Sequence, residues 1–202
     1  MVNSPFVDPF DFEPALHAAT TMNAFARPWC LCGGWAIDLW LGQSTRQHED
    51  VDVALLREDQ LALKFFLEDW KFWLLDGGVK KAWRDWQMRM LPIHEIHGTS
   101  PQGRQIEFLL NESQEDQWVY RRAFGVRRPL ETWIVRAAFG VPVLAPEIVL
   151  LYKSKDPTPA DELDFRVAVD RLEPARLGWL DSALRGVDPN HPWLGAILQA
   201  AG

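Results

Sequence analysis

The chain is short of cysteine, tyrosine, basic residues and long apolar runs, and each shortage excludes something. Two cysteines in 202 residues, Cys30 and Cys32, cannot build a disulfide framework. On a strand, their C-x-C spacing turns both thiols to one side, so a buried, reduced pair is expected. Lysine and arginine number 21 against 28 acids, giving a net charge of −7. A broad nucleic-acid surface wants the opposite sign, whereas a small polycation would be drawn in. No apolar run approaches the roughly 18 residues of a membrane span. The start, M-V-N-S-P-F-V-D-P-F, lacks the basic head and apolar core of a secretory signal. A cytoplasmic protein is expected. The two tyrosines stand against 11 tryptophans and 11 phenylalanines. Tryptophan can wall a pocket, a role open to Trp83, Trp86 and Trp118, but it packs cores at least as often.

What is present reads as one domain, or one domain with a helical appendage. After an irregular lead-in over 1–10, apolar residues every three or four positions predict a helix over 11–27. A short strand over 29–32 runs into Gly33-Gly34, then a helix over 35–41 that Gly42 closes. The polar loop 43–49 leads to a strand over 50–56, with Asp50, Asp52 and Ala54 on one face and Val51, Val53 and Leu55 on the other. A helix follows over 60–70. Strands are expected over 72–75 and 81–90 around Gly77-Gly78, over 93–97 and 105–110 around the turn 98–103, and over 118–120 and 132–138. From Ala145 the pattern becomes helical, with Pro146 at a helix start and further helices over 160–172, 174–185 and 192–200. The order predicts an α+β fold: a mixed sheet flanked by helices over 1–144, then a C-terminal helical region over 145–202.

The chemistry concentrates in 31–56. Asp50 and Asp52, at i and i+2 of a strand, lie on one face about 6.5–7 Å apart at Cα, and paired carboxylates suit Mg²⁺. Glu107, in Q-I-E-F-L-L, is the candidate third acid, as a further ligand or as a general base. Glu95 competes with it. His94 and His97, at i and i+3 of a strand, fall on opposite faces and read as unrelated polar positions. Gly33-Gly34, between a strand and a helix N-terminus, lets backbone N–H groups approach a phosphate. Asp38 favours the helix dipole. Arg46 can neutralise a phosphate or offset the aspartates, and His48 can orient an aspartate.

Taken together, G-G-W-A-I-D-L-W-L-G-Q-S-T-R-Q-H-E-D-V-D-V resembles the nucleotidyltransferase superfamily of the DNA polymerase β type. More narrowly, it resembles the aminoglycoside 2″-adenylyltransferase-like group. The matching positions are Gly33, Gly34, Trp35, Ala36, Asp38, Gly42, Thr45, Arg46, His48, Asp50 and Asp52. Farther on, Glu107, the run A-P-E-I-V-L-L-Y-K, Asp161, Asp164 and His191-Pro192-Trp193 continue the likeness. Two positions depart: Ala160 precedes Asp161 where relatives often carry a basic residue, and Glu107 is a glutamate where some relatives carry aspartate.

The resemblance implies a five-stranded mixed sheet, a C-terminal helical bundle and a site in the cleft between them. It implies transfer of AMP from ATP, or of another nucleoside monophosphate from its triphosphate, to a hydroxyl of a small acceptor such as an aminoglycoside. Asp50, Asp52 and Glu107 would hold Mg²⁺ and do the catalytic work. Gly33, Gly34, Thr45, Arg46 and Lys153 would bind the nucleotide. Two alternatives stay open: a toxin-type enzyme acting on tRNA or protein, to which the basic run Tyr120–Arg128 would belong, and a non-catalytic nucleotide-binding domain.

Overall fold

The computed structural model describes residues 8–201, so the expected lead-in over 1–10 falls mostly outside the described residues. A 3₁₀ turn (Pro9–Phe12) leads into helix α1 (Glu13–Met22), shorter than its apolar spacing predicts. Strand β1 (Trp29–Leu31) and helix α2 (Gly33–Leu41) follow, then β2 (Asp52–Leu56) and α3 (Gln60–Phe66). The strands β3 (Lys71–Asp76) and β4 (Val79–Ala82) form the hairpin expected at Gly77-Gly78. Next come β5 (Glu95–Thr99), β6 (Gln105–Gln114), β7 (Gln117–Val119), β8 (Arg127–Pro129), β9 (Ile134–Arg136) and β10 (Pro142–Leu144). The C-terminal part is helical: α4 (Pro146–Lys153), α5 (Pro159–Val169), α6 (Pro174–Val187) and α7 (Trp193–Ala200). The fold is α+β, as the element pattern predicts.

The sheet is larger than the five strands that the resemblance implies. Its main path runs β4-β3-β5-β6-β2-β1-β10-β9, and β7 and β8 continue from the far end of β6. Two pairs are parallel, β2 with β6 and β1 with β10. β2 is therefore an interior strand, hydrogen-bonded on both sides. Its pattern departs from the expected alternation: Val53, Ala54 and Leu55 are all fully buried. Such a strand is covered on both faces, as parallel pairing through helical crossovers requires. Pairing begins at Asp52, so Asp50 precedes the strand and is exposed. β8 and β10 escape the sequence pattern because each is three residues long and contains proline, which argues against a strand.

One apolar cluster runs from Phe12 through the sheet to Ile197. It includes both cysteines, free and buried as expected. α4 packs on α2, α5 and α6 and is almost wholly buried, so the helical region closes one side of the sheet. α5 starts in a capping box: Thr158 N–H donates to the Asp161 carboxylate (3.0 Å) and Asp161 N–H donates to Thr158 Oγ1 (3.2 Å). The His-Pro-Trp motif docks the last helix. His191 Nε2 meets the Ser154 carbonyl at 2.9 Å, and Trp193 stacks on Phe165 with ring centroids 4.0 Å apart. Trp118 and Trp83 are core residues and Trp86 is exposed; none of the three lines the cleft.

Candidate active site

Register builds the site. Asp52 on β2 pairs with Glu107 on β6, and Glu107 pairs with His97 on β5. Paired residues of adjacent strands point to the same face, so Asp52, Glu107 and His97 form a row. Glu95, two residues before His97, shares that face. The His97 ring bridges two carboxylates, with Nε2 2.6 Å from Glu95 Oε1 and Nδ1 3.3 Å from Glu107 Oε1. Potential ligand atoms of Glu95, His97 and Glu107 lie within 4.8 Å of one another. His94 bonds the Pro92 carbonyl and is not part of that cluster, so the two histidines stay apart as their spacing predicts, whereas His97 belongs beside Glu107. Counting back from the turn would have found it, because Thr99 pairs with Gln105 and each step away preserves the pairing.

Both glycines are set by close approach. Gly33 has φ +64, the left-handed region that glycine tolerates, and a Cβ there would overlap the Asp52 carboxylate. A Cβ on Gly34 would overlap the side chains of Arg46 and His48. The glycine pair therefore lets β2 and the loop 43–51 close onto the start of α2. The Cys32 N–H also donates to the Asp52 carbonyl at 2.9 Å.

The loop is fastened by Asp38, which is fully buried rather than a dipole-facing surface acid. Asp38 accepts from the Thr45 N–H (3.1 Å) and from the Thr45 hydroxyl, and His48 Nε2 lies 2.6 Å from it. His48 also packs on Trp35, ring centroids 4.3 Å apart. In this structure the Thr45 hydroxyl faces Asp38 rather than an open cavity. Arg46 makes a two-pronged ion pair with buried Asp164 of α5, 2.8 Å on each arm. Lys153 of α4 meets Asp164 at 2.9 Å and Asp161 at 2.5 Å.

Between the sheet face and α4 lies a cavity of about 390 Å³. Gly33, Asp52, Glu95, Glu107, Lys153 and Asp161 line it, and so do Arg121, Arg122 and Tyr152. Of the residues read from the sequence, Gly34, Thr45, Arg46 and Asp50 lie outside this lining. Asp50 sits at a neighbouring depression whose wall also includes Glu107. The basic run Tyr120–Arg128 is turned inward in part. Tyr120 is buried, Arg128 pairs with buried Glu147, and Arg121 and Arg122 face the cavity.

The electrostatics are those of crowded acids. Burial, then the charges of Glu107 and Asp50, push the Asp52 carboxyl up to about 7. Glu107 is also raised, by burial first, with Glu95 and Asp50 adding to it and His97 opposing. A cation would relieve both. The donors are carboxylate oxygens, which suit a hard divalent ion such as Mg²⁺.

Sequence and fold comparisons bear on the family and the fold. The family model described as aminoglycoside-2''-adenylyltransferase matches residues 16–167. No curated protein matches the sequence. The solution structure of the antibiotic-resistance factor ANT(2'')-Ia is similar, with 18% identity, a TM-score of 0.57, and 87% of this chain and 92% of that one covered. Its crystal structure in complex with adenylyl-2''-tobramycin has the same identity and TM-score, covering 87% and 98%. The lincomycin-bound lincosamide antibiotic adenylyltransferase LnuA is 16% identical, with a TM-score of 0.53 over 76% and 93%. Such low identities establish likeness of fold. Family membership comes from the sequence model: matched from residue 16 to residue 167, the chain belongs to the aminoglycoside-2''-adenylyltransferase family and is a nucleotidyltransferase.

Proposed function

We propose that the protein moves AMP from ATP to a hydroxyl of a small polycationic acceptor of the aminoglycoside type, with Mg²⁺. The register that sets Asp52 and Glu107 side by side on the cavity face, against Gly33, carries this reading. Asp50, Asp52 and Glu107 would hold Mg²⁺, which when bound supplies charge stabilisation to the attacking and leaving oxygens of a phosphoryl displacement. Glu107 takes the proton of the acceptor hydroxyl. A carboxyl raised above its usual range by burial is a better proton acceptor than a surface glutamate. His97, bonded on its other side to Glu95, holds the Glu107 carboxylate in place. Gly33 and Gly34 bring the start of α2 to the phosphates. Arg46 and Lys153 act through Asp164, tying the loop 43–51 and α4 to α5. The acidic sheet face, with Glu95 and Asp50 beside Glu107, favours an acceptor carrying ammonium groups.

The test is direct. Labelled ATP and Mg²⁺ are incubated with the protein and, separately, with aminoglycosides, lincosamides and bulk tRNA. Label on an aminoglycoside is expected, with loss of transfer in Glu107→Gln. Label on tRNA alone would overturn the acceptor class. Undiminished transfer in the Asp50→Asn/Asp52→Asn double variant would overturn the metal assignment.

A further inference from the structure

Besides Lys153, three cationic residues line the cavity, Arg121, Arg122 and the exposed Lys155, and the sequence motifs account for none of them. Lys153 is compensated, since it and Arg46 together face Asp161 and Asp164, two cations against two carboxylates. Arg121 and Arg122 line the same cavity, and among the described residues neither lies within ion-pair distance of a carboxylate. Both are nevertheless held. The Arg121 guanidinium lies 4.8 Å from the centre of the Tyr152 ring. Arg122 donates from Nη1 to the Tyr152 carbonyl at 2.8 Å and to the Tyr120 hydroxyl at 3.4 Å. Tyr152 is fixed in turn, its hydroxyl 3.2 Å from Asn111 Oδ1. Their charge is felt nearby: burial first, and Arg121 and Arg122 with it, hold down the proton affinity of His94, against the pull of the Pro92 carbonyl.

The cavity is therefore bipolar, with Asp52, Glu95 and Glu107 contributing the acidic lining and the two held guanidiniums, beside the exposed Lys155, an uncompensated cationic one. We propose that Arg121 and Arg122 are the subsite for the β- and γ-phosphates of the nucleotide; this rests on the nucleotidyl-transfer reading above. A planar guanidinium offers paired donors that fit a phosphate, and stacking on an aromatic ring pre-orders it. In the reaction, the acceptor oxygen bonds to the α-phosphorus and its proton passes to Glu107. The bond from the α-phosphorus to the bridging oxygen breaks. Its electron pair leaves on pyrophosphate, whose new charge falls beside the two arginines.

Binding isotherms with Mg²⁺ for ATP, AMP and inorganic pyrophosphate test this on wild type, Arg121→Gln, Arg122→Gln and Arg121→Lys. Each glutamine variant should weaken ATP and pyrophosphate about 10- to 100-fold, the worth of a hydrogen bond to a charged group. AMP, which lacks the two outer phosphates, should change by less than about threefold. The lysine variant should recover part of the loss, because it keeps charge without the fork. Thermal midpoints report folding, and Arg121→Gln disturbs no backbone hydrogen bond. Equal weakening of ATP and AMP would overturn the assignment in favour of a base platform. Unchanged ATP and pyrophosphate binding in both glutamine variants would also overturn it. A wild-type protein that binds none of the three would instead remove the nucleotidyl-transfer reading, and the subsite with it.

Discussion

Replacing Asp52 with asparagine should stabilise the metal-free protein while abolishing transfer. Asp52 is partly buried between Glu107 and Gly33, and its carboxyl is pushed from 3.8 up to about 7. The sign follows from proton linkage. Below pH 4 the group is protonated in both folded and unfolded chains and costs nothing. Between pH 4 and 7 only the unfolded chain releases the proton readily, so folding stability falls as pH rises. Above pH 7 the folded chain carries a buried charge, and the whole cost is present. At about 1.4 kcal/mol per pH unit of displacement the ceiling is roughly 4 kcal/mol, and partial contact with solvent reduces it toward about 2. Asparagine keeps the shape and removes the charge. Thermal melts in EDTA should show Asp52→Asn equal to wild type near pH 4 and higher at pH 8, by about 4–12 °C for a chain of this size. Added Mg²⁺ should raise the wild-type midpoint at pH 8 and barely move the variant's. Should the variant melt lower than wild type at pH 8, or should the difference not depend on pH, the account of crowded acids is wrong.

Other outcomes follow from single contacts. Gly33→Ala must place a Cβ on the Asp52 carboxylate at a left-handed backbone position; transfer should drop about 100-fold or more with a loss of about 1–3 kcal/mol in denaturant melts. Arg57 is buried and binds Glu112 together with the carbonyls of Arg89 and Ile93, so Arg57→Ala should cost about 3–5 kcal/mol by urea titration. Asp38→Ala frees Thr45 and His48 and loosens the loop that presents Asp50; proteolysis within 43–50 should become faster and transfer slower while α2 stays folded. Burial raises both thiols well above their usual range, so Cys30 and Cys32 should resist a thiol reagent at pH 8 in the native protein and react on unfolding.

Much of the fold is legible in the chain because its elements are locally specified. The C-terminal helices announce themselves by periodicity and by proline at their first turns, and Pro146, Pro159 and Pro174 open α4, α5 and α6. The β3–β4 hairpin is marked by Gly77-Gly78. Strand ends were harder. The β2 ladder begins where Asp52 meets Glu107, a fact about pairing that Asp50 itself does not carry. The tryptophans were undecided for a similar reason: their type permits either a pocket wall or a core, and only packing sends Trp118 inward and gives the cavity its aromatic wall through Tyr152.

By itself the sequence determined the α+β class, the family, and the stretch from Gly33 to Asp52 in which glycines and acids meet. Those are set by residue type and short spacing, which survive unfolding on paper. The tertiary structure alone decided which distant groups share a space. Parallel pairing of β2 with β6 brought Glu107 to Asp52, and antiparallel β5 added His97 and Glu95. Packing of α4 and α5 spent Arg46 and Lys153 on Asp164 and left Arg121 and Arg122, with Lys155, as uncompensated charge facing the cavity. Electrostatic balance is a sum over neighbours in space. No order of residues along the chain states it.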